Sequence, residues 1–338
     1  MTHEFKHILN QAYLNQKKGG LQVLATVVDL DGSSYRKPGV RMLICDNGKM
    51  TGAVSGGCIE KEINNQAQTV FKTQVPKIMT YDGRYRLGCE GVLYILIEPF
   101  YVSNVLFETF SKCIENREQF EIESYYHKSN ERSKDFGSVI QYRNQNTLAF
   151  RSEFDSSKQE NLSIFSQTLQ PCYKLLIFGG EHDAVKLCAM ASLLGWEVDI
   201  VTSIKDPKTI DDFPGANTVI SQAPELYEAN IDTETAVILM NHNYVLDLKY
   251  LIKLEPLKPK YIGILGSSKR REKLKNELLE YSPETTVSFL ETIYSPTGLD
   301  IGSITPEEIA LSILSEIMTI TRNRGAKSLR SLPSKVRT

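Results

Sequence analysis

Cys58 stands where a strand pattern gives way to a helix pattern, in the run AVSGGCIEKEI (residues 53–63), directly after two glycines. Gly56 and Gly57 allow the backbone to approach a ligand closely. The first unbonded N–H groups of the helix, with its dipole, favour a phosphate or a thiolate beside Ser55, Gly56, Gly57 and Cys58. The dipole is worth about 0.3 to 1 kcal/mol, less than one pKa unit, so an activated thiolate needs a nearby cation. Arg36 or Arg41, on the preceding loop and strand, is the candidate for it. A small buried cysteine, inert at a strand-to-helix turn, is the alternative. A second run, RLGCEG (residues 86–91), places Gly88 and Gly91 around Cys89 between two strands, either as a ligand loop or as a bulge or tight turn. A third, DGSSYRKPG (residues 31–39), combines two hydroxyls and two cations with glycine and proline, and reads as an anion cradle or a solvated turn.

These loops need strands and helices to hold them. Phe5, Ile8, Leu9 and Ala12 fall at helical spacing before Gly19-Gly20, which predicts an opening amphipathic helix. Branched apolar residues over 21–30 and 40–44, and Asn47-Gly48 before KMTGAV (49–54), predict a strand and then a hairpin. Ile59, Ile63, Ala67, Val70 and Phe71 share one helical face, and residues 76–82 and 91–99 return to strand pattern. Residues 1–123 therefore read as an α+β domain. The stretch 124–170, rich in Ser, Asn, Gln, Lys and Arg, reads as a polar middle or linker region, and 326–338 as a C-terminal tail.

Residues 171–325 alternate apolar runs (174–178, 196–201, 236–240, 261–265) with helical or loop segments, the signature of a Rossmann-like parallel sheet. The fold class is thus α/β, an N-terminal α+β domain followed by a C-terminal Rossmann-like domain. IFGGEHDA (177–184) lies where such a domain carries G-x-G-x-x-G/A. Gly179 and Gly180 open the turn, but Glu181 holds the middle glycine position. The strand that should end in a ribose-binding acid ends in Thr202-Ser203, so ordinary NAD(P) binding is not expected. His182 and Asp183 begin the next helix, and Asn241-His242 end another strand at the edge where open α/β sheets bind ligands. The two histidines meet there, or each is a satisfied loop histidine. Asp300 in SPTGLDIG lines that cleft or caps the turn into a last helix, for which Thr305, Pro306 and Glu308 form a capping sequence.

Composition limits the functions open to the chain. With 39 Lys plus Arg against 41 Asp plus Glu, no overall field attracts nucleic acid or anionic membrane. No apolar run approaches the roughly 18 residues of a membrane span. Six scattered cysteines without a C-x-x-C pair predict reduced thiols and a cytoplasmic protein.

GSSYRKPGVRML, GAVSGGCIE, LGCEG and SPTGLDIGSITPEEIALSILSEI, in this order, resemble the signatures of the XdhC/CoxI family, accessory proteins of xanthine dehydrogenase and related molybdenum hydroxylases. The resemblance spans about residues 20–100 and 172–325. It implies a chaperone that binds molybdenum cofactor (molybdopterin), protects it during sulfuration and delivers it to a xanthine dehydrogenase-type molybdoenzyme. The sulfur comes from a separate cysteine desulfurase, and the protein needs no turnover of its own. Carried over residue by residue, the resemblance gives cofactor contacts to Gly56, Gly57 and Cys58, the last as a contact to molybdenum, and to Gly88, Cys89 and Gly91. Arg36 and Arg41 match the arginines of the first motif, and His182 and Asp183 match the second half. A homodimer is also implied. Where the family usually reads GCGG, this chain has Glu90 within GCEG, a carboxylate that either faces the anionic cofactor or points outward. Two other readings stand beside this one: an NAD(P)-dependent oxidoreductase using the degenerate Rossmann domain, and a cofactor-free adaptor of the dehydrogenase.

Overall fold

The computed structural model describes residues 1–32, 37–54, 57–83, 91–129, 131–143, 147–228, 230–257 and 259–331, with Cys58 described by its backbone. The chain divides into two compact units, Met1–Pro171 and Cys172–Leu332.

The first unit opens with α1 (Thr2–Lys17), which buries Phe5, Ile8, Leu9 and Ala12 as its spacing predicts. Strands β1 (Gln22–Asp31), β2 (Arg41–Cys45) and β3 (Met50–Gly52), helix α2 (Cys58–Thr73), then β4 (Lys77–Asp82) and β5 (Val92–Pro99) follow. The five strands form an antiparallel sheet in the order β3-β2-β1-β5-β4. The β2–β3 hairpin closes at Asn47-Gly48, where Gly48 takes φ +82° and the Asn47 side chain accepts from Lys49 N at 2.9 Å. This is the turn chemistry that Asn-Gly supplies. Alternate residues point to opposite faces. Met42 and Ile44 pack with Ile59, Ile63, Ala67 and Val70 of α2, whereas Leu43 and Cys45 pack with α1.

Helix α3 (Asn104–Glu115), capped by the Ser103 side chain, leads into residues 124–170. These are not a linker. Strands β6 (Phe120–Tyr126), β7 (Gly137–Tyr142), β8 (Thr147–Ala149) and β9 (Ser163–Leu169) form a second antiparallel sheet, ordered β8-β7-β6-β9. Phe120, Ile122, Ile140, Phe150 and Leu169 join Phe5, Leu9, Leu106 and Phe110 in one core. Strand β6 runs across the expected boundary at 123/124. The alternation is visible in β6, where buried Phe120 and Ile122 alternate with half-buried Glu121 and Glu123, and is lost in β7, where Ser138, Val139 and Ile140 are all buried.

In the second unit β10 (Lys174–Phe178), α4 (His182–Leu193), β11 (Glu197–Thr202), β12 (Thr218–Ser221), β13 (Thr235–Leu239), α5 (Tyr244–Leu254), β14 (Tyr261–Ile264), α6 (Ser268–Tyr281), α7 (Val287–Glu291), β15 (Ile293–Tyr294) and α8 (Pro306–Thr321) build a parallel sheet ordered β12-β11-β10-β13-β14-β15. This is the doubly wound dinucleotide-fold order, with the reversal between β10 and β13. Helices α4 and α8 cover one face, while α5 and α6 cover the other. Thr305 caps α8, and Glu308 reaches back to Thr305 N at 3.0 Å, the capping box its sequence predicts. No described helix is long and apolar enough to cross a membrane.

Candidate functional site

Register brings the three glycine loops of the first unit to one end of its sheet. Asp31, the last residue of β1, pairs with Val92, the first of β5, and Val92 pairs with Asp82, the last of β4. Gly83 N donates to Gly91 O at 3.0 Å, closing the base of the loop that carries Gly88 and Cys89. The loop after Asp31 returns at Val40, whose carbonyl accepts from Val27 N at 3.0 Å. Gly52, which ends β3, pairs with Met42 at the start of β2, so the turn into α2 leaves from this end too. Arg36, Ser55, Gly56, Gly88, Cys89 and Glu90 lie outside the described residues, while Gly91 is buried at its loop's base.

The turn into α2 is held by a residue that the motif reading passed over. Glu60 accepts hydrogen bonds from Gly57 N at 2.6 Å and Val54 N at 3.1 Å, tying the glycine turn to the helix it precedes. Gly57, the residue before the first helical turn, has φ +131°, which favours glycine, and a Cβ built there would meet open space. The turn is thus accessible, and Cys58 N begins the unbonded helical amides. The sequence signal was present: in Gly57-x-x-Glu60 the glutamate stands where the acidic half of a capping box does, serving the cap amide, while glycine has no side chain to complete the box.

Arg41 is not among the groups gathered at this turn. It belongs to the sheet face opposite α2, with Leu43 and Cys45, and only 6% of it is exposed. Its Nη1 donates to Gly39 O at 3.0 Å and Gln167 Oε1 at 2.5 Å, and its guanidinium lies 5.5 Å from the Phe5 ring centroid. Burial lowers its pKa to about 10, with Glu98 opposing the fall. On the same face Glu98 is fully buried and accepts from Ser138 N at 3.0 Å and Ser138 Oγ at 2.5 Å. Burial still carries its carboxyl up to about 7. Cys45, Cys113, Cys172 and Cys188 are buried and form no disulfide, and burial raises the Cys113 and Cys188 thiols to about 11, which suits packing rather than nucleophilic attack.

At the loop end of β1 a bulge between Val27 and Asp29 resets the register, setting Asp29 opposite Tyr94. Lys128, just beyond β6, bridges Asp29 Oδ2 at 3.1 Å and Asp31 Oδ1 at 2.8 Å. Tyr126 Oη donates to Asp29 and Tyr94 Oη to Asp31, each at 2.8 Å, and Lys128 Nζ lies 4.8 Å from the Tyr94 ring centroid. The Lys128 bond, then that of Tyr94, holds Asp31 below the usual carboxylate range. No motif in the polar middle pointed to Lys128.

In the second unit the crevice at the reversal point is a cleft of about 160 Å³ lined by Gly180, Glu181, Ser203, Asp206, Asn241, His242, Asn243 and Leu246. Ligand pockets usually enclose roughly 300–1,000 Å³. Gly179, at φ +151°, passes so close to Met240 that a Cβ would stand 2.9 Å from its carbonyl oxygen. A Cβ at Gly180 would stand 3.5 and 3.6 Å from stem carbons of Lys208, whose ammonium pairs with Asp206 at 2.9 Å. The Lys208 stem therefore covers the backbone that a pyrophosphate would approach. Thr202 at the end of β11 is buried and bonded to Ser221 Oγ at 2.7 Å, and the acid of the following loop that lines the cleft, Asp206, is paired with Lys208. Asn241 is fixed from below: its amide donates to the buried Asp247 at 2.8 Å, and Arg270 Nη2 bonds both Asn241 O at 2.9 Å and Asp247 at 2.5 Å.

His242 lines this cleft, whereas His182 and Asp183 occupy the first turn of α4, with His182 close enough to Glu307 to lower its carboxyl alongside the larger effect of Lys186. Asp300 is exposed, and Thr305, not Asp300, caps α8. The neighbouring motif is clasped to the core. Glu316 accepts from Tyr261 Oη and, at 2.9 Å, from Gly298 N, while Ser312 Oγ donates to Leu299 O at 2.6 Å. Among the described residues no group of three or more His, Cys, Asp or Glu side chains could hold a metal ion.

Comparison with known proteins matches both units. Residues 16–82 fit the model of the XdhC and CoxI family, and residues 175–317 that of the XdhC Rossmann domain. A Bacillus subtilis protein named as a probable subunit of xanthine dehydrogenase is 30% identical over 327 residues, 90% of this chain and 94% of that protein. The Escherichia coli molybdenum cofactor insertion chaperone PaoD is 25% identical, over 95% of this chain and 90% of its own. A Bacillus halodurans crystal structure, titled a xanthine dehydrogenase, superposes with TM-score 0.75 at 26% identity, covering 96% of this chain and 98% of that one. Matched at both units and along almost its whole length, the chain belongs to the XdhC and CoxI family.

Proposed function

We propose that this protein is a cytoplasmic accessory chaperone that holds molybdenum cofactor as cargo at the loop end of the first unit, protects it during sulfuration and delivers it to a xanthine dehydrogenase-type molybdenum hydroxylase. The observation that carries this reading is the convergence of the three glycine loops, two of them bearing Cys58 and Cys89, on one end of the β1–β5 sheet. The cargo joins a phosphate and a polar pterin to a soft, sulfur-bound metal. Helix N–H groups, open glycine backbone and thiols suit those parts respectively. Gly57, accessible at the start of α2, fits the anionic end, and Cys58 would meet the metal. Lys37 is exposed on the first loop, beside Arg36 in sequence. Arg41, committed to the interior, has no part in holding the cargo. Transfer of sulfur requires a cysteine desulfurase as a second partner, and the working form is a homodimer.

The test is anaerobic retention of molybdenum cofactor by the purified protein, scored as molybdenum and oxidised-pterin fluorescence after ultrafiltration. Near-stoichiometric retention is expected, with loss in Cys58→Ala while circular dichroism and melting remain those of the wild type. An empty wild-type protein would sink the carrier reading and leave the cofactor-free adaptor.

A further inference from the structure

Strand β9 ends the second sheet of the first unit, bonded to β6 on one side and to no strand of the described residues on the other. Its seven residues, SIFSQTL, pair with β6 in unbroken register from Ser163 to Leu169, so an uninterrupted row of backbone N–H and C=O groups faces outward. Sheet edges are normally guarded by shortness, charge, proline, a bulge or a covering segment. The other edge strands of the described residues have such guards. Strands β3 and β8 have three residues each, β12 four and β15 two. Strand β4 carries Lys77 and Asp82, and residues 131–133 occupy its first half, where Ile78 N donates to Glu131 O at 3.0 Å and Ser133 N to Pro76 O at 3.2 Å. Strand β9 has no charged residue, no proline and no bulge, and Ile164, Ser166 and Thr168 are exposed on its outer face.

We infer that β9 is the interface of the homodimer: each protomer lays its β9 antiparallel to its partner's across a two-fold axis, and two four-stranded sheets become one of eight. The occupant is a second copy of this chain because an uncharged strand meets itself without like-charge repulsion. Full overlap of the seven residues centres the axis on Ser166, a small side chain that stands opposite its own copy without crowding. On the same exposed face Ile164 then stands opposite the partner subunit's Thr168, twice over, a pair of β-branched residues that suits strand pairing. This assignment rests on the homodimer named in the carrier reading, and not on the cofactor.

Sedimentation velocity of the full chain reads the dimer directly. Ile164 is 52% exposed and Thr168 is exposed, so changes there leave the core intact, which circular dichroism and melting check for each variant. Ile164→Lys with Thr168→Lys puts like charges opposite each other twice and should raise the dimer dissociation constant about tenfold. Ile164→Glu with Thr168→Lys puts opposite charges at the same two places and should stay within about threefold of wild type. The gap between the two variants should narrow at high salt. On mild oxidation Ser166→Cys should form a disulfide-linked dimer that wild type does not. Thr168→Cys should not, because its two copies lie about 13 Å apart along the strands, beyond the roughly 7 Å that a disulfide can bridge. A dimer that both charge variants leave unchanged, or Ser166→Cys that links no faster than Thr168→Cys, overturns the assignment and leaves the homodimer standing. A monomeric wild type defeats the homodimer and the assignment together. Cofactor retention, scored separately on the same proteins, answers for the carrier reading whichever way the dimer falls.

Discussion

Glu98 and Arg41 share the buried face between the two sheets of the first unit, and each is shifted toward its neutral form because lost hydration outweighs their mutual attraction. For Glu98 this makes a pH prediction with a definite sign. Its carboxyl rises from an ordinary 4.5 to about 7 on folding, so between those values the folded chain holds a proton that the unfolded chain has released. Stability from this group is therefore greatest below about 4.5 and declines as pH rises to about 7, with a slope of at most about 1.4 kcal/mol per pH unit. Urea midpoints of Glu98→Gln across that window should follow a flatter line than wild type; parallel lines would refute the assignment. The sequence placed Arg41 within a strand over 40–44, and its alternation with Met42 even shows that the two face opposite ways. It did not show that both faces are covered, because the second cover comes from strands more than seventy residues later.

At the scale of elements, legibility followed pattern strength. Four parallel strands of the second unit, β10, β11, β13 and β14, carry short apolar runs, as both-faced burial demands, and their boundaries could be read to within a residue or so, whereas the short β12 and β15 carry no such run and were not read. Strands β6 to β9 carry inward Ser124, Ser138 and Gln167 among their apolar residues, because they cover Glu98 and Arg41 as well as apolar surface. A polar lining against a polar patch erases the contrast on which alternation is read. The α2 turn is an intermediate case: its glycines and cysteine stood out, while Glu60, which shapes it, passed as an ordinary helix residue. Glu60 serves two amides, Gly57 N and Val54 N, that the helix cannot serve. Glu60→Ala should therefore cost about 1 to 2 kcal/mol in urea unfolding, the usual loss of a good helix cap. A wild-type midpoint in that variant would mean that solvent satisfies these amides equally well.

Across the whole molecule two units of different fold are joined in one chain, and the features that suit a ligand are unequally divided. The first unit brings the ends of its glycine loops, and Asp29 and Asp31 with Lys128 between them, to one end of its sheet. The second unit keeps the strand order of a dinucleotide fold but only a cleft of about 160 Å³ at its reversal point, with Glu181 at the middle glycine, the Lys208 stem beside Gly180, and Thr202 bonded to Ser221. Restoring one glycine does not undo three changes. Glu181→Gly should therefore leave NAD(H) and NADP(H) binding undetectable by fluorescence titration and calorimetry, because the ribose acid is still missing and Lys208 still covers the backbone. The same variant should keep molybdenum cofactor retention within about twofold of wild type, since the carrier reading puts the cargo on the loops of the first unit. Dinucleotide binding in Glu181→Gly would show that one side chain alone had closed the crevice. Loss of cofactor retention in it, with the fold intact, would move part of the cargo site into the Rossmann unit.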